Sequence, residues 1–288
     1  MECAAQPGKD CELVSLGSFV DRSGKIGHDV EVRQCVRCGH GITYPPIPDV
    51  AFLYGNRESQ DYQLDAKNGL SHMIKDIAFR MQARKLLRQI GKPGNEALDF
   101  GCGSGQFTRV LGEMLPRTRL TGSDFYDTPP AELSGRPYVH SNVVKQQRDE
   151  YDMVMAMHVL EHDDDVVGLL SRISAPAKRG ATMVIEVPNV ECFWNKALGR
   201  FWDAWYVPYH RHHFSRQSLV KLLESNGLDV IAIYGMTVPT MGRTMANMFG
   251  RRNNVFWLLV GIALHPVQVI GEMLSGKPTA LRVIARKR

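Results

Sequence analysis

Acidic residues nearly vanish from one end of this chain. Positions 241–288 hold eight arginines or lysines against a single acid, Glu272, a local net charge of +7. The preceding 240 residues sum to −2, so the overall +5 belongs to the C-terminal part. The main body lacks the basic excess of a nucleic-acid surface, and no nucleic acid is expected as a partner. Cysteine is sparse. Its six occurrences make no dense secreted framework, and no basic stretch followed by an apolar run opens the chain as a signal peptide would. A reducing cytoplasm is therefore the expected compartment. Long apolar runs are missing as well. The run 255–264 covers ten residues before His265-Pro266, with Gln268 and Glu272 close behind, against the ~20 that a membrane span needs. It reads as a substrate cap or a homodimer contact, in preference to an interfacial helix drawn to a membrane surface by Arg251, Arg252 and the basic terminus. There is no internal repeat.

What is present is ordinary in amount and ordered in pattern. The 288 residues are 44% apolar and 23% charged, enough for a soluble core without disulfide staples. Residues 1–60 are rich in Gly, Pro and Cys and weakly periodic, and read as a small cysteine-bearing module that ends at the turn run 44–48. The remainder, 61–288, reads as one domain. Met73, Ile77, Met81 and Leu86-Leu87 predict a helix over 68–90 with Gly91 as its stop. Strands are then expected at 96–100, 118–123, 137–140, 152–157, 181–187, 229–234 and 280–285. Helices are expected at 104–114, 164–175 and 215–226, the last capped by Ser215 and closed at Gly227. Alternating strand and helix implies a mostly parallel sheet covered on both faces. Insertions at about 190–213 and 237–278 interrupt the pattern. The first is aromatic and histidine-rich and follows a strand's carboxyl end, where open parallel sheets bind ligands.

The chemistry gathers at 96–107. A buried strand carrying Asp99 breaks into a loop with Gly101, Gly103 and Gly105 on alternate residues and then opens a helix. Such a loop lets a ligand touch backbone. A dinucleotide fingerprint would place its last glycine at 106, where Gln106 stands, which argues against a dehydrogenase. The acid on the strand would repel a phosphate and welcome a cation. Asp124 closes the second strand, where a carboxylate can accept from a ribose diol. The fourth strand runs into His158-Val159-Leu160-Glu161-His162.

With these motifs in this order, together with the approach at 177–189 and the segment 208–215, the chain resembles the class I S-adenosylmethionine-dependent methyltransferases over about residues 70–235. The resemblance implies a Rossmann-like seven-stranded α/β sandwich with an antiparallel last strand. It implies methyl transfer from S-adenosylmethionine to oxygen or carbon of a small molecule such as a sugar, a quinone or a natural-product intermediate. S-adenosylhomocysteine would be the other product, and a non-catalytic binding module on the same fold is the alternative. By the same resemblance, Asp99 helps hold the ammonium and the Gly101–Gly103–Gly105 loop approaches the methionine end. Asp124 takes the ribose, Phe125 lies along the adenine, and Asn142 bonds its edge where the family often has Asp.

An oxygen nucleophile of high pKa also needs a base, for which His158 and His210 are the candidates. His158, Glu161 and His162 also spell a zinc-peptidase pattern that needs a long helix. A metal there orienting a catechol-like substrate is one reading; a structural role for Glu161 and His162 beside the cofactor is preferred. His212 and His213 read as solvated, and Trp194, Trp202, Trp205 and Tyr206 as packing that can also serve a lid. Cys35 and Cys38 form one zinc knuckle, which Cys3 and Cys11 would complete to a four-cysteine structural zinc site. Cys102 reads as a small residue that fits its loop.

Overall fold

The computed structural model describes residues 2–3, 6–21, 25–47, 49–54, 69–251 and 254–288. The chain opens with strands β1 (Glu2–Cys3), β2 (Gln6–Asp10), β3 (Leu13–Phe19), β4 (Val30–Cys35) and β5 (Gly41–Tyr44), then the short helix α1 (Ala51–Tyr54). Helix α2 (Gly69–Ile90) leads into β6 (Glu96–Phe100), α3 (Gln106–Met114), β7 (Arg119–Asp124), β8 (Tyr138–His140), α4 (Ser141–Val144) and β9 (Tyr151–Met157). After these come α5 (Val166–Ser174), β10 (Ala177–Pro188), α6 (Phe193–Leu198), β11 (His212–His213), α7 (Arg216–Ser225) and β12 (Leu228–Met236). The helices α8 (Met241–Met248) and α9 (Val255–Ser275) and the strand β13 (Ala280–Lys287) complete the chain.

Seven strands form the main sheet in the order β12-β13-β10-β9-β6-β7-β8. β13 runs antiparallel to β10 and β12, and the pairs from β10 through β8 are parallel. This is the expected seven-stranded α/β sandwich with its antiparallel last strand. The period of two along β9 explains its two-sided burial. Val154 and Ala156 join a core with Leu169, Leu170 and Ile173 of α5 and Leu219, Leu222 and Leu223 of α7. Met153 and Met155 face the other way, onto Ala83 and Leu86 of α2 and Leu111 of α3. The chain leaves β6 toward β7 in one direction and returns to β9 on the other side, so a switch point lies between β6 and β9. Ligands of open α/β sheets bind at such a point.

Helix α2 forms where the pattern predicted, and Gly91 at φ 71° ends it. Only part of the expected apolar set forms its buried face. Ala83 and Leu86 pack inward, while Met73, Ile77 and Met81 are exposed. The spacing was helical, but residues of similar apolarity stood on two faces, and only the neighbouring α3 selects between them.

The region before residue 60 has more structure than its weak periodicity implied. β3, β4 and β5 form an antiparallel sheet whose fourth strand, β11, arrives from the insertion near residue 210. Phe19, Val30 and Val32 pack against Trp202, Trp205, Val207 and Met241, so the insertion is held between this sheet and α8. His212 and His213, read from sequence as solvated, are both buried. They pair with Ile42 and Gly41, His212 bonds to His40 across 2.8 Å, and His213 bonds to the Thr43 hydroxyl across 2.9 Å. A polar residue is solvated only if its neighbours leave it so, and here a distant strand supplies its hydrogen bonds.

Candidate functional site

Strand β6 delivers Asp99 to the sheet's carboxyl edge, buried. The Thr108 hydroxyl of α3 donates to its carboxylate at 2.6 Å. Burial raises the Asp99 carboxyl to about 7 against that bond, and the charge of Asp124 adds to the rise. Asp124, at the end of β7, is also buried and also raised by burial. It accepts from the backbone N–H groups of Gly103 at 2.7 Å and Phe125 at 2.8 Å. Two neighbouring buried carboxylates are a costly arrangement that a cation would relieve.

The three glycines divide by role. All have positive φ, but a Cβ on Gly101 would run into Val159 and one on Gly105 into Leu133. A Cβ on Gly103 would meet nothing within 4 Å. Gly101 and Gly105 therefore let the loop close on its neighbours, and Gly103 is the one that faces open space. Phe125 is half-exposed beside this loop, its ring 4.3 Å from that of Tyr126. Asn142 stands exposed at the start of α4, its side-chain oxygen taking the Lys145 ammonium at 2.7 Å. The sequence reading missed the network behind the loop. Gln106 donates to Asp76 of α2 at 2.8 Å, and Arg109 binds Asp76, Glu113 and Glu132 within 2.8 Å. Asp76 and Glu132 lie more than 20 residues from Arg109, and only Glu113, one helical turn on, is marked locally.

At the end of β9, His158 takes φ 57°, rare for a residue other than glycine. Its Nε2 is 3.1 Å from Glu186 and its Nδ1 3.4 Å from Glu161. Burial pulls this imidazole down, but the two carboxylates outweigh it and hold the group up to about 10. The two carboxylates thus favour the charged imidazolium, the form that has no lone pair to offer. Glu186 is shared with Arg282, fully buried at 2.7 Å, a pairing across 96 residues that the sequence does not announce.

His210 differs. Burial drives its pKa well down and keeps it neutral. Its Nδ1 must donate to the Ala204 carbonyl at 3.0 Å, which leaves the Nε2 lone pair 3.8 Å from Glu161. Glu161 is completely buried; its Oε1 faces His158 at 3.4 Å and His210 at 3.8 Å, and neither oxygen makes a well-formed hydrogen bond among the described residues. Glu161, His162 and His210 place one donor atom each within 4.8 Å of one another, a set able to hold a metal ion. Residues 160–162 form a single 3-10 turn, so the long helix of a zinc peptidase is not here. Tyr54 bonds to His162 at 2.8 Å, and its ring is 6.0 Å from that of Phe125, bridging this cluster to the glycine loop. An open cavity of about 160 Å³ adjoins the cluster through Tyr206 and Tyr209 and is lined on its other side by Arg243, Ala246 and Asn247 of α8.

Cys35 and Cys38 are buried together, with Cys11 packed against them. The Cys3 side chain lies outside the described residues. Burial raises the Cys35 thiol, but backbone N–H groups, first that of Cys38, lower it to about 7.

A family profile described as a methyltransferase domain matches residues 71–233, more than half of the chain. The chain belongs to the class I S-adenosylmethionine-dependent methyltransferases. This class I methyltransferase is 28% identical over 191 residues to the mitochondrial ubiquinone biosynthesis O-methyltransferase of Homo sapiens, covering 57% of this chain and 52% of the relative. The chain thus spans about half the length of that relative. With the ubiquinone biosynthesis O-methyltransferase of Methylobacterium sp. (strain 4-46) it shares 28% identity over 193 residues, 60% of this chain and 76% of the relative. Among solved structures it resembles the 1,6-didemethyltoxoflavin-N1-methyltransferase of Burkholderia thailandensis with bound S-adenosylhomocysteine (TM-score 0.50, 17% identity, 88% of this chain and 97% of that one). It also resembles the complex of a Haloferax volcanii methyltransferase with its Trm112 activator (TM-score 0.51, 16% identity, 78% of this chain and 97% of that one). At these identities both structures establish the fold alone.

Proposed function

We propose that this methyltransferase moves a methyl group from S-adenosylmethionine to a hydroxyl of a small quinone- or catechol-like acceptor. The observation that carries the reading is the buried Glu161–His162–His210 cluster, set between the glycine loop and the cavity at Tyr206 and Tyr209. The names of the relatives agree with it.

The bound donor supplies an electrophilic methyl on a sulfonium. The chain binds and aligns. Asp99 and its neighbouring charge suit the ammonium, the open side of Gly103 admits the methionine end to backbone, and Asp124 takes the ribose hydroxyls. Phe125 offers a face to the adenine, and Asn142 is the candidate at its edge. Alignment alone can supply about 7–11 kcal/mol of such a barrier. His210 is neutral with its Nε2 lone pair directed at the cluster, so it is the group able to take the acceptor's proton, while His158 adds fixed positive charge at the strand end.

The first test is calorimetric titration with S-adenosylhomocysteine, with NADH as control, followed by assay of product formation on hydroxylated quinones. Binding of the first ligand alone and turnover of a hydroxyl acceptor are expected. His210→Ala should spare S-adenosylhomocysteine affinity and lower turnover by about 100-fold or more; unchanged turnover would remove His210 from the reaction.

The buried carboxylate of Glu161, met by histidine rings at 3.4 and 3.8 Å without a well-formed hydrogen bond among the described residues, favours a second reading of the same cluster, in which Glu161, His162 and His210 hold a divalent cation. Such an ion would lower the pKa of an acceptor hydroxyl. Elemental analysis of the purified protein and turnover after chelation separate the two readings. Cys11, Cys35 and Cys38, with Cys3, are in turn the candidates for a structural zinc ion, supported by the backbone N–H groups that favour the Cys35 thiolate. The same elemental analysis tests it, with Cys38→Ser expected to lose the metal.

A further inference from the structure

A helix on a water-soluble protein turns its apolar side inward. Helix α9 does the opposite. Its buried side chains are Gln268, 0% exposed, and Glu272, 4% exposed, one turn apart. Gln268 donates to the Val238 carbonyl at 2.8 Å, and Glu272 accepts from the Thr237 hydroxyl at 2.7 Å and the Thr279 backbone at 3.0 Å. The outward side carries Leu259 (60% exposed), Ile270 (55%), Met273 (75%) and Leu274 (85%), joined by Ile262 and Val267. Glu272 is the helix's sole charge, and it points inward.

The sequence run stopped at residue 264, but the helix continues through Pro266 to Ser275 and is long and apolar enough to cross a bilayer. The fold forbids the crossing. The chain leaves the sheet at Met236 and returns at Ala280, which are paired neighbours on β12 and β13. Its outgoing limb, α8, has eight residues, about 12 Å against a hydrocarbon core of about 30 Å. Non-helical backbone cannot make up the difference in lipid. The inner side of α9 is instead covered along its length. Gly261 meets Gly242 of α8 backbone to backbone, and Gly271 lies under Trp194 of α6. The helix lies flat, one side on protein and the other bare.

We propose that the bare side of α9 docks in the plane of an anionic lipid bilayer, with the aliphatic side chains at the headgroup–acyl boundary. Exposed Arg251 precedes the helix and exposed Lys277 follows it, and no acid other than the buried Glu272 occurs between residues 241 and 288. Both ends of the patch are therefore basic. Either way of pairing two copies would set basic end against basic end, whereas anionic headgroups answer both ends at once. Phe256, 61% exposed, adds an aromatic ring on the outward side. The proposal does not depend on the acceptor, because lipid binding is read without turnover.

The test is vesicle flotation of the full chain with pure phosphatidylcholine and with an equal mixture of phosphatidylcholine and phosphatidylglycerol, with light scattering of the free protein. Flotation with the mixed vesicles exceeding that with phosphatidylcholine is expected. The double variant Leu259→Glu with Ile270→Glu should bind S-adenosylhomocysteine as before and partition about tenfold or more weakly. Arg251→Glu with Lys277→Glu should erase the preference for the anionic mixture. Failure of the wild-type chain to float, or equal flotation of the Leu259/Ile270 variant, overturns the proposal. So does a solution dimer that this variant dissolves in the absence of lipid binding.

Discussion

Burial and the neighbouring Asp124 raise the Asp99 carboxyl, and the consequence is measurable. Because burial holds Asp99 near 7, the folded ligand-free protein keeps a proton between about pH 4 and 7 that the unfolded chain has already released. This group's contribution to stability therefore falls as pH rises through that window. A ligand ammonium placed at Asp99 favours the ionised form, so S-adenosylhomocysteine affinity should fall below pH 7, by up to tenfold per unit, with a proton released on binding. Calorimetry in buffers of different ionisation enthalpy reads both, and Asp99→Asn should flatten the profile. Asp124→Ala should weaken binding by at least about tenfold, the loss of hydrogen bonds to a charged group. Unchanged affinity would take Asp124 out of the site. These two acids were legible because each closes a strand at the sheet's carboxyl edge, a position that local pattern fixes. Thr108, Glu186 and Arg282, which orient or neutralise the groups around them, were not, because their partners are set by strand order. His158 was legible as a candidate base, but the carboxylates that favour its charged form were not. Its charge is decided by Glu161 and by Glu186, which arrives from the neighbouring strand β10.

Among the elements, the turn from β6 into α3 separates two meanings of glycine. Gly101→Ala should destabilise the fold by about 2 kcal/mol through overpacking on Val159. Gly103→Ala should cost about 1 kcal/mol, from its left-handed φ alone, yet weaken S-adenosylhomocysteine binding more than Gly101→Ala does per unit of stability lost. Denaturant unfolding and titration on the two variants check the contrast, and an equal ratio of effects would deny Gly103 its ligand-facing role. Helices α2 and α9 teach a complementary lesson. In α2 the period was readable and the buried face was not. In α9 the chain looked too short an apolar run because Gln268 and Glu272 interrupt it, and those two residues face the protein rather than water.

Across the whole molecule, the sheet before residue 60 and the methyltransferase core are joined at Arg211. This fully buried guanidinium reaches Asp164 at 3.0 Å and the carbonyls of Thr43, Pro45 and Pro208. Arg211→Met should lower stability by about 3 kcal/mol, the cost of leaving a partner charge and carbonyls unanswered. Thermal unfolding reads it, and a shift within error would show that the junction carries no stability. Removal of residues 1–47 should unpair β11 and expose Trp202 and Trp205, red-shifting tryptophan emission while leaving β6 and β7 intact.

The sequence by itself determined the alternation of strands and helices, the glycine loop and the two acids at its edges, because these follow from short-range periodicity and from where a strand must stop. Only the tertiary structure decided which of two histidines is neutral, which side of α9 meets the protein, and that residues 212–213 complete a sheet begun at residue 13. Their partners lie on other elements, from Glu186 28 residues beyond His158 to His40 172 residues before His212, and that proximity exists only once the chain has folded.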